Sequence, residues 1–486
     1  MMTKSYFPSF RTFRNILILA TAFAILGMMT LPRPARAITP SQTAVTSITV
    51  GTQPIDVAVS PDGSSVWVAN RGDNLGRCIG GCTVSRISTT TNAVTATITV
   101  GTAPRGVAVS PDGSSVWVTS TFDDTVSRIS TTTNAVTDTI AVGTGPFGVA
   151  VSPDGSSVWV ANFTNETVSR IATSNNAVTA TITVGSYPIG VAVSPDGSSV
   201  WVANNGAGGS GGNTVSRIST TTSAVTDTIT VGTGPSGVAV SPDGSSVWVT
   251  NNEANTVSLI NTTTNAVTDT ITVGTSPRGV AVSPDGKSVW VTNYGDGTTD
   301  GTVSQIDTAS DTVVQTITVG SSPWGVAVSP DGSSVWVANV GSANVSRIIF
   351  PPQPPSNVTA TPGDAKATIS WAAPTNTGGS PITGYSATAS PGGKSCTTTT
   401  ATSCTISGLT NGTTYDVSVT ATNAVGTSDP SVVAVTPAVP VVTAAIAKLA
   451  ATGSDLFSPS WFVVALFGLG GGALLVSRRR KTQSQS

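Results

Sequence analysis

The sequence predicts an all-β protein: a closed ring of seven four-stranded sheets, followed by a smaller β-sandwich. Three observations carry this. The segment Pro-Asp-Gly recurs starting at Pro61, Pro111, Pro153, Pro195, Pro242, Pro284 and Pro330, and a period in the forties marks units that bury their apolar faces only by stacking on neighbours. Each copy breaks into four short runs of valine, isoleucine and threonine separated by turn residues, which is the pattern of strands. With 50 glycines, 30 prolines and only 9% charged residues in 486, the chain favours many turns around a large apolar core over long helices.

In the second copy the four runs are 107–110, 115–119, 125–130 and 135–142, named here inner, second, third and outer. Ser-Pro-Asp-Gly joins the first two, with proline presetting the turn and glycine relaxing its exit. Ser-Thr-Thr-Thr-Asn joins the last two. Apolar side chains fall at both parities of the second strand: Val116 and Val118 point one way and Trp117 the other, so both faces must be covered. Four-stranded units covered on both faces are the blades of a β-propeller. The tryptophan recurs at Trp67, Trp117, Trp159, Trp201, Trp248, Trp290 and Trp336, as blade packing requires.

Closure can be read from the strand count, because a ring must join its last blade to its first or leave an edge. The seventh copy supplies 325–329, 334–339 and 344–349, then runs into Phe350-Pro351-Pro352 with no outer strand. The strand at 44–50, AVTSITV, matches the outer strand and precedes the first inner one, so it is expected to complete the last blade. One closed ring of seven blades is predicted over residues 41–350. Its motifs resemble the YVTN family of propeller repeats, here WVTN at Trp248 and Trp290 and WVAN in most other copies. The resemblance implies bacterial or archaeal surface proteins, and it is specific for fold and weak for function.

After a proline-rich linker at 351–355 the pattern changes. Residues 356–437 resemble a fibronectin type III domain, with Trp371 in ATISW, the segment ITGYSATAS and then ISGLTNGTTYDVSVTATNAVG. The resemblance implies a sandwich of about seven strands, with Trp371 in the core and Tyr415 bracing a strand corner. Such a module usually serves as a spacer.

Both ends carry addresses. Residues 1–37 join Lys4, Arg11 and Arg14 to an apolar run and Ala35-Arg36-Ala37, the composition of a secretory signal. After a stalk at 438–448 come Leu449, Ala450, Ala451, Thr452 and Gly453, an apolar run at 461–476 without charge, and a basic tail at 477–486. The basic tail should remain cytoplasmic. This order resembles a sortase cell-wall sorting signal with alanine in place of the proline of LPxTG. It implies cleavage between Thr452 and Gly453 and attachment of Thr452 to the peptidoglycan of a Gram-positive-type cell. The alternative is a plain C-terminal membrane anchor through a transmembrane helix. Export agrees with the cysteines: Cys78 with Cys82 and Cys396 with Cys404 form two local pairs suited to disulfides, and too few ligands stand near either pair for zinc.

Variation among the repeats locates the candidate site. The two turns on one side of the ring are nearly invariant, whereas the second-to-third and outer-to-inner connections on the other side vary, and loops on a rigid scaffold are where recognition residues sit. The residue after the proline of each outer-to-inner turn reads Ile55, Arg105, Phe147, Ile189, Ser236, Arg278 and Trp324. These should ring the channel mouth, where Arg105, Phe147, Arg278 and Trp324 would suit stacking on a sugar or clasping a carboxylate. Weaker candidates are the Arg71-Gly72-Asp73 tripeptide, an oxygen-rich run from Asp296 to Gly301 that lacks EF-hand spacing, and the loop acids Asp123, Asp124 and Glu166. The arginines at Arg86, Arg128, Arg170, Arg217 and Arg347 fit blade edges better than a ligand site.

Composition excludes several classes. A formal charge of −2 gives no basic footprint for nucleic acid. With no histidine, imidazole bases, histidine triads and most zinc or copper chemistry are absent. Virginiamycin B lyase has a similar repeat but depends on a histidine that this chain cannot supply. No cofactor or metal is expected. The reading is an exported, wall- or membrane-anchored protein that binds an extracellular glycan or protein without catalysis. The alternatives are an enzyme of extracellular polymer turnover and a structural surface-layer component.

Overall fold

The computed structural model describes residues 43–73, 82–206, 212–297 and 299–440. The expected signal peptide, Cys78, most of the stalk, the LAATG motif, the apolar run and the basic tail lie outside these. Among the described residues, seven four-stranded antiparallel sheets follow one another. The inner strand of each sheet contacts the inner strand of the next, and the strand Pro323–Val328 of the seventh contacts Pro54–Val59 of the first. The sheets form a closed β-propeller. The strand Ala44–Thr49 pairs antiparallel with Asn344–Ile349, from Ala44 opposite Ile349 to Thr49 opposite Asn344, and so supplies the outer strand that the seventh copy lacks.

The two-faced pattern of the second strand appears directly in the packing. Val116 and Val118 join Trp67, Val84 and Ile98 of the preceding blade, whereas Trp117 joins Val158, Val160 and Ile171 of the following one. The closing interface has the same construction, with Trp336, Val345 and Ile48 against Val57, Val66 and Ile87. Because every such cluster spans two blades, the unit of stability is the interface and not the blade.

The invariant side of the ring is stapled by the recurring arginines. Each of Arg86, Arg128, Arg170, Arg217 and Arg347 lies over the tryptophan of its own blade, between 4.9 and 5.1 Å from the ring centroid. Each then donates to the third-to-outer turn of the next blade: Arg86 to Thr131 O at 2.9 Å and Asn134 Oδ1 at 3.0 Å, and Arg347 across the closing interface to Thr89 O at 2.9 Å and Asn92 Oδ1 at 2.8 Å. Gln305 breaks the series for a physical reason. The blade after it has no third-to-outer turn to receive an arginine, since the chain leaves the ring there. Phe350 covers Trp290 instead, with centroids 5.3 Å apart. Nothing in the structure explains Leu259.

The second domain is a two-sheet sandwich. Three strands, Ser356–Gly363, Lys366–Ala372 and Ser403–Ser407, face four others, Ser395–Thr398, Ile382–Ser390, Tyr415–Asn423 and Ser431–Val435. Trp371 and Tyr385 pack in its core with ring centroids 5.5 Å apart, and Tyr415 Oη accepts from the Thr410 amide at 3.0 Å, which is the strand-corner brace. The disulfide Cys396–Cys404 joins neighbouring strands of opposite sheets. Cys82 is also disulfide-bonded. The sandwich docks on the invariant side of the seventh blade. Asn423 Nδ2 donates to Phe350 O and Thr377 O, both at 2.8 Å, Phe350 N donates to Gly378 O at 2.8 Å, and Arg347 reaches Gly379 O at 3.2 Å. Gly378 is required by this approach, since a Cβ there would lie 2.0 Å from Phe350 O.

Four of the Ser-Pro-Asp-Gly turns hold depressed carboxyls. In four blades the aspartate hydroxyl partners Ser60, Ser110, Ser152 and Ser194, aided by backbone amides, pull Asp62, Asp112, Asp154 and Asp196 from 3.8 down to about 2. A depressed carboxyl stabilises the fold above its unfolded value, and that stability disappears as pH falls through the folded value. Chemical denaturation followed between pH 4 and 2 is therefore expected to show the midpoint falling steeply with acid, and replacing Asp62, Asp112, Asp154 and Asp196 together by asparagine should flatten that dependence.

Candidate functional site

On the variable side, the inner strands begin at the turn prolines, so the mouth residues occupy the first strand positions and not free loop. A bulge after them, as between Pro146 and Val149, turns their side chains in a different sense from the rest of the strand. Four of the seven come together. The Arg105 guanidinium lies 4.1 Å from the Phe147 ring centroid, Phe147 stacks on Trp324 at 6.4 Å with 29° between planes, and Arg278 lies 4.5 Å over Trp324. Phe147 belongs to the third blade and Trp324 to the seventh, so their contact bridges the ring. Ile55, Ile189 and Ser236 are buried beside them.

The cluster recruits residues that the repeat comparison did not single out. Tyr294 stands edge-on to Trp324 at 6.0 Å and lies 5.5 Å from Arg278. Phe163 meets Phe147 at 5.9 Å and Tyr187 at 4.6 Å. Tyr187 holds a left-handed φ of 52° immediately before Pro188, a strained backbone that an ordinary side chain rarely adopts. Asn252, with its carboxamide oxygen turned toward Arg278, accepts from Nε at 2.8 Å and Nη2 at 2.9 Å.

The mouth residues are held from the preceding blade. Thr119 Oγ1 accepts from Gly106 N at 2.8 Å and donates to Phe147 O at 2.7 Å. Thr250 does the same between Gly237 N and Arg278 O, and Thr292 between Gly279 N and Trp324 O. Gly279 must be glycine, because a Cβ there would lie 2.4 Å from Trp324 O. Where the next mouth residue is Ile189, Ser236 or Ile55, the threonine position is Ala161, Ala203 or Ala338. Ahead of Arg105 the position is Ala69, and the grip comes from Asp56, whose Oδ2 accepts from Val107 N at 3.1 Å. The residues with chemistry are the ones whose backbone is pinned.

Asp56 is the other residue that the comparison of repeats passed over. It stands where the other six inner strands have glycine, beside Gly325 of the seventh blade and Val107 of the second. Burial pushes its carboxyl up to about 6, against the lowering effect of the Val107 and Val57 amides.

A family model described as the virginiamycin B lyase family matches residues 41–348, more than half of the chain. The chain belongs to the virginiamycin B lyase family. A fibronectin type III model matches residues 353–436. Among solved structures, the hydrazine synthase of Kuenenia stuttgartiensis is similar at 24% identity and a TM-score of 0.55, covering 62% of this chain and 96% of that one. A streptogramin B lyase structure is similar at 17% identity and a TM-score of 0.53, covering 63% and 98%. At these identities the likeness is one of fold. No curated protein sequence matches the chain.

Within this virginiamycin B lyase family fold, the remaining expectations separate. Arg71-Gly72-Asp73 is not an exposed tripeptide: Gly72 is buried, and Arg71 is one of the charges acting on Arg105. Asp123 and Asp124 accept from the turn amides of Thr102 and Gly145, at 2.6 and 2.8 Å, and brace the rim. Asp296 Oδ1 accepts from Thr299 N and Oγ1 at 3.2 Å, a local turn, and no group of three or more metal-ligating side chains occurs among the described residues.

Thr292→Ala leaves the half-buried Gly279 amide without its acceptor and is expected to cost about 1 kcal/mol, with Thr292→Ser recovering most of it, as measured by equilibrium denaturation. For Asp56 the raised carboxyl has the opposite sign from the turn aspartates. Its contribution to stability is present below about 3.8 and lost as pH rises through about 6. Asp56→Asn should therefore gain on the wild type between pH 4 and 6, in paired denaturation curves.

Proposed function

We propose that the protein is a cell-surface, wall- or membrane-anchored binding protein that receives an extracellular glycan or protein on the variable face of its propeller without catalysing a reaction. The observation that carries this is the joined cluster of Arg105, Phe147, Trp324 and Arg278, whose rings and guanidinium groups are preset by contacts from neighbouring blades. A pre-organised cationic and aromatic surface keeps the entropic cost of binding low. The fibronectin module supports the orientation, since it docks on the invariant side and leaves the mouth on the opposite side. The 1–37 leader, the LAATG motif at 449–453, the apolar run at 461–476 and the basic tail support export and anchoring, with sortase and peptidoglycan as the partners of the C-terminal signal.

A second reading is an extracellular enzyme of polymer turnover. The hydrazine synthase and the streptogramin B lyase are enzymes by name, and Asp56 offers a carboxyl near the pH range where a general acid or base works. No histidine supports it.

The full-length chain, probed on an array of glycans and cell-wall fragments, is expected to retain one or a few ligands. Replacing Arg105, Phe147, Arg278 and Trp324 together should abolish that retention. Full retention by the fourfold variant ends the mouth-binding reading, and depolymerisation of an arrayed polymer that Asp56→Asn stops establishes the enzyme reading in its place.

A further inference from the structure

Among the described residues, the charged groups that act on the Arg105 guanidinium share its sign. Arg105 is largely enclosed, and its guanidinium sits on the Phe147 ring, which supplies a weak cation–π partner and no negative charge. The charged groups that act on it are Arg71 and Arg278, both of its own sign. Burial is the larger effect and these two neighbours add to it, yet the group remains a cation at neutral pH. The buried Nε atoms of Arg105 and Arg71 have no hydrogen-bond partner. Arg278 differs, since Asn252 satisfies it and Glu253 acts on it with the opposite sign. Removing a charge from water without a counter-charge is costly, and the natural occupant of such a place is an anion.

We propose that Arg71 and Arg105 form the anion subsite of the propeller mouth and that the ligand is an acidic saccharide. Its carboxylate or sulfate sits between the two guanidinium groups, and the apolar face of its ring rests on the half-exposed aromatic floor of Phe147 and Trp324. This deepens the binding-protein reading and rests on it. The planar guanidinium fork suits an oxyanion better than an ammonium would, because it offers paired donors. Phe163, Tyr187 and Tyr294 extend the aromatic surface around that floor, which favours a ring-bearing acid over an acidic peptide.

Thermal unfolding of the full-length chain in detergent micelles, followed by tryptophan fluorescence at matched ionic strength, tests this. Oligomers of glucuronate or galacturonate are expected to raise the midpoint, and the neutral glucose or galactose oligomers to raise it at least tenfold less effectively in concentration. In Arg105→Gln and in Arg71→Gln the difference between acidic and neutral oligomers should vanish. Without ligand, Arg105→Gln should unfold at a higher temperature than the wild type, since it removes an unneutralised charge. Equal effects of acidic and neutral oligomers, no effect of either, or an acid-specific shift that survives in both variants overturns the proposal. So does inorganic sulfate or a poly-glutamate peptide matching the acidic oligomer at equal concentration, the former reporting a free-anion site and the latter a protein ligand. If the inference fails while the fourfold mouth variant still loses a neutral arrayed ligand, the binding-protein reading stands. If that variant loses nothing, both fall.

Discussion

A row of stacked four-stranded sheets leaves two open end faces, and a chain that stacks seven of them must cover both. Pairing Ala44–Thr49 with Asn344–Ile349 holds those faces together, because the first and last repeats then share one sheet. Every apolar cluster of the ring spans two blades, so the first and last blades have no complete core until the ring is shut. The mouth inherits its geometry from that closure. Phe147 and Trp324, from blades separated by 177 positions in this chain's numbering only through the intervening repeats, stack because seven inner strands converge at one radius.

The two sides of the ring are held by different chemistry. On the invariant side, arginines cover tryptophans and reach the next blade's turn. On the variable side, threonines reach the backbone of the next mouth residue. The second blade has both devices, Arg128 and Thr119, whereas the fifth and sixth blades have Leu259 and Gln305 where an arginine would be, together with Thr250 and Thr292 where four others have alanine. Packing there is pinned at the mouth, next to the side chains whose placement matters most.

Much of this was legible in the sequence, and what was not shares one cause. The blade count, the closing strand, the opposed faces of Trp117 and Val116 and the four mouth residues follow from comparing one repeat with another, and the tyrosine corner from the resemblance of the second domain to fibronectin type III. Thr119, Thr250 and Thr292 alternate with alanine in a position that reads as neutral drift, and Asp56 reads as one departure from glycine. Their partners lie in the next blade, at separations such as 28 residues from Thr119 to Phe147 and 51 from Asp56 to Val107. Inspection of one repeat at a time does not reach across that boundary. Arg71 reads in the sequence as part of a local tripeptide for the same reason, since its neighbour Arg105 belongs to another blade. The docking of the sandwich through Asn423 and Gly378 depends on a three-dimensional meeting of segments that no local pattern announces.

The exit of the chain from the ring has a mechanical side. Any tension applied from the C-terminal end enters the propeller at Ile349, on a strand flanked by Ser334–Asn339 and by the N-terminal strand. Pulled alone, those ladders would open one rung at a time from that end. The grip of Asn423, Gly378 and Gly379 on Phe350, Pro351 and Arg347 spreads the load over the base of the seventh blade before it reaches the first rung. The seam that makes the toroid is thereby shielded from peeling at the very point where a tether would tug on it.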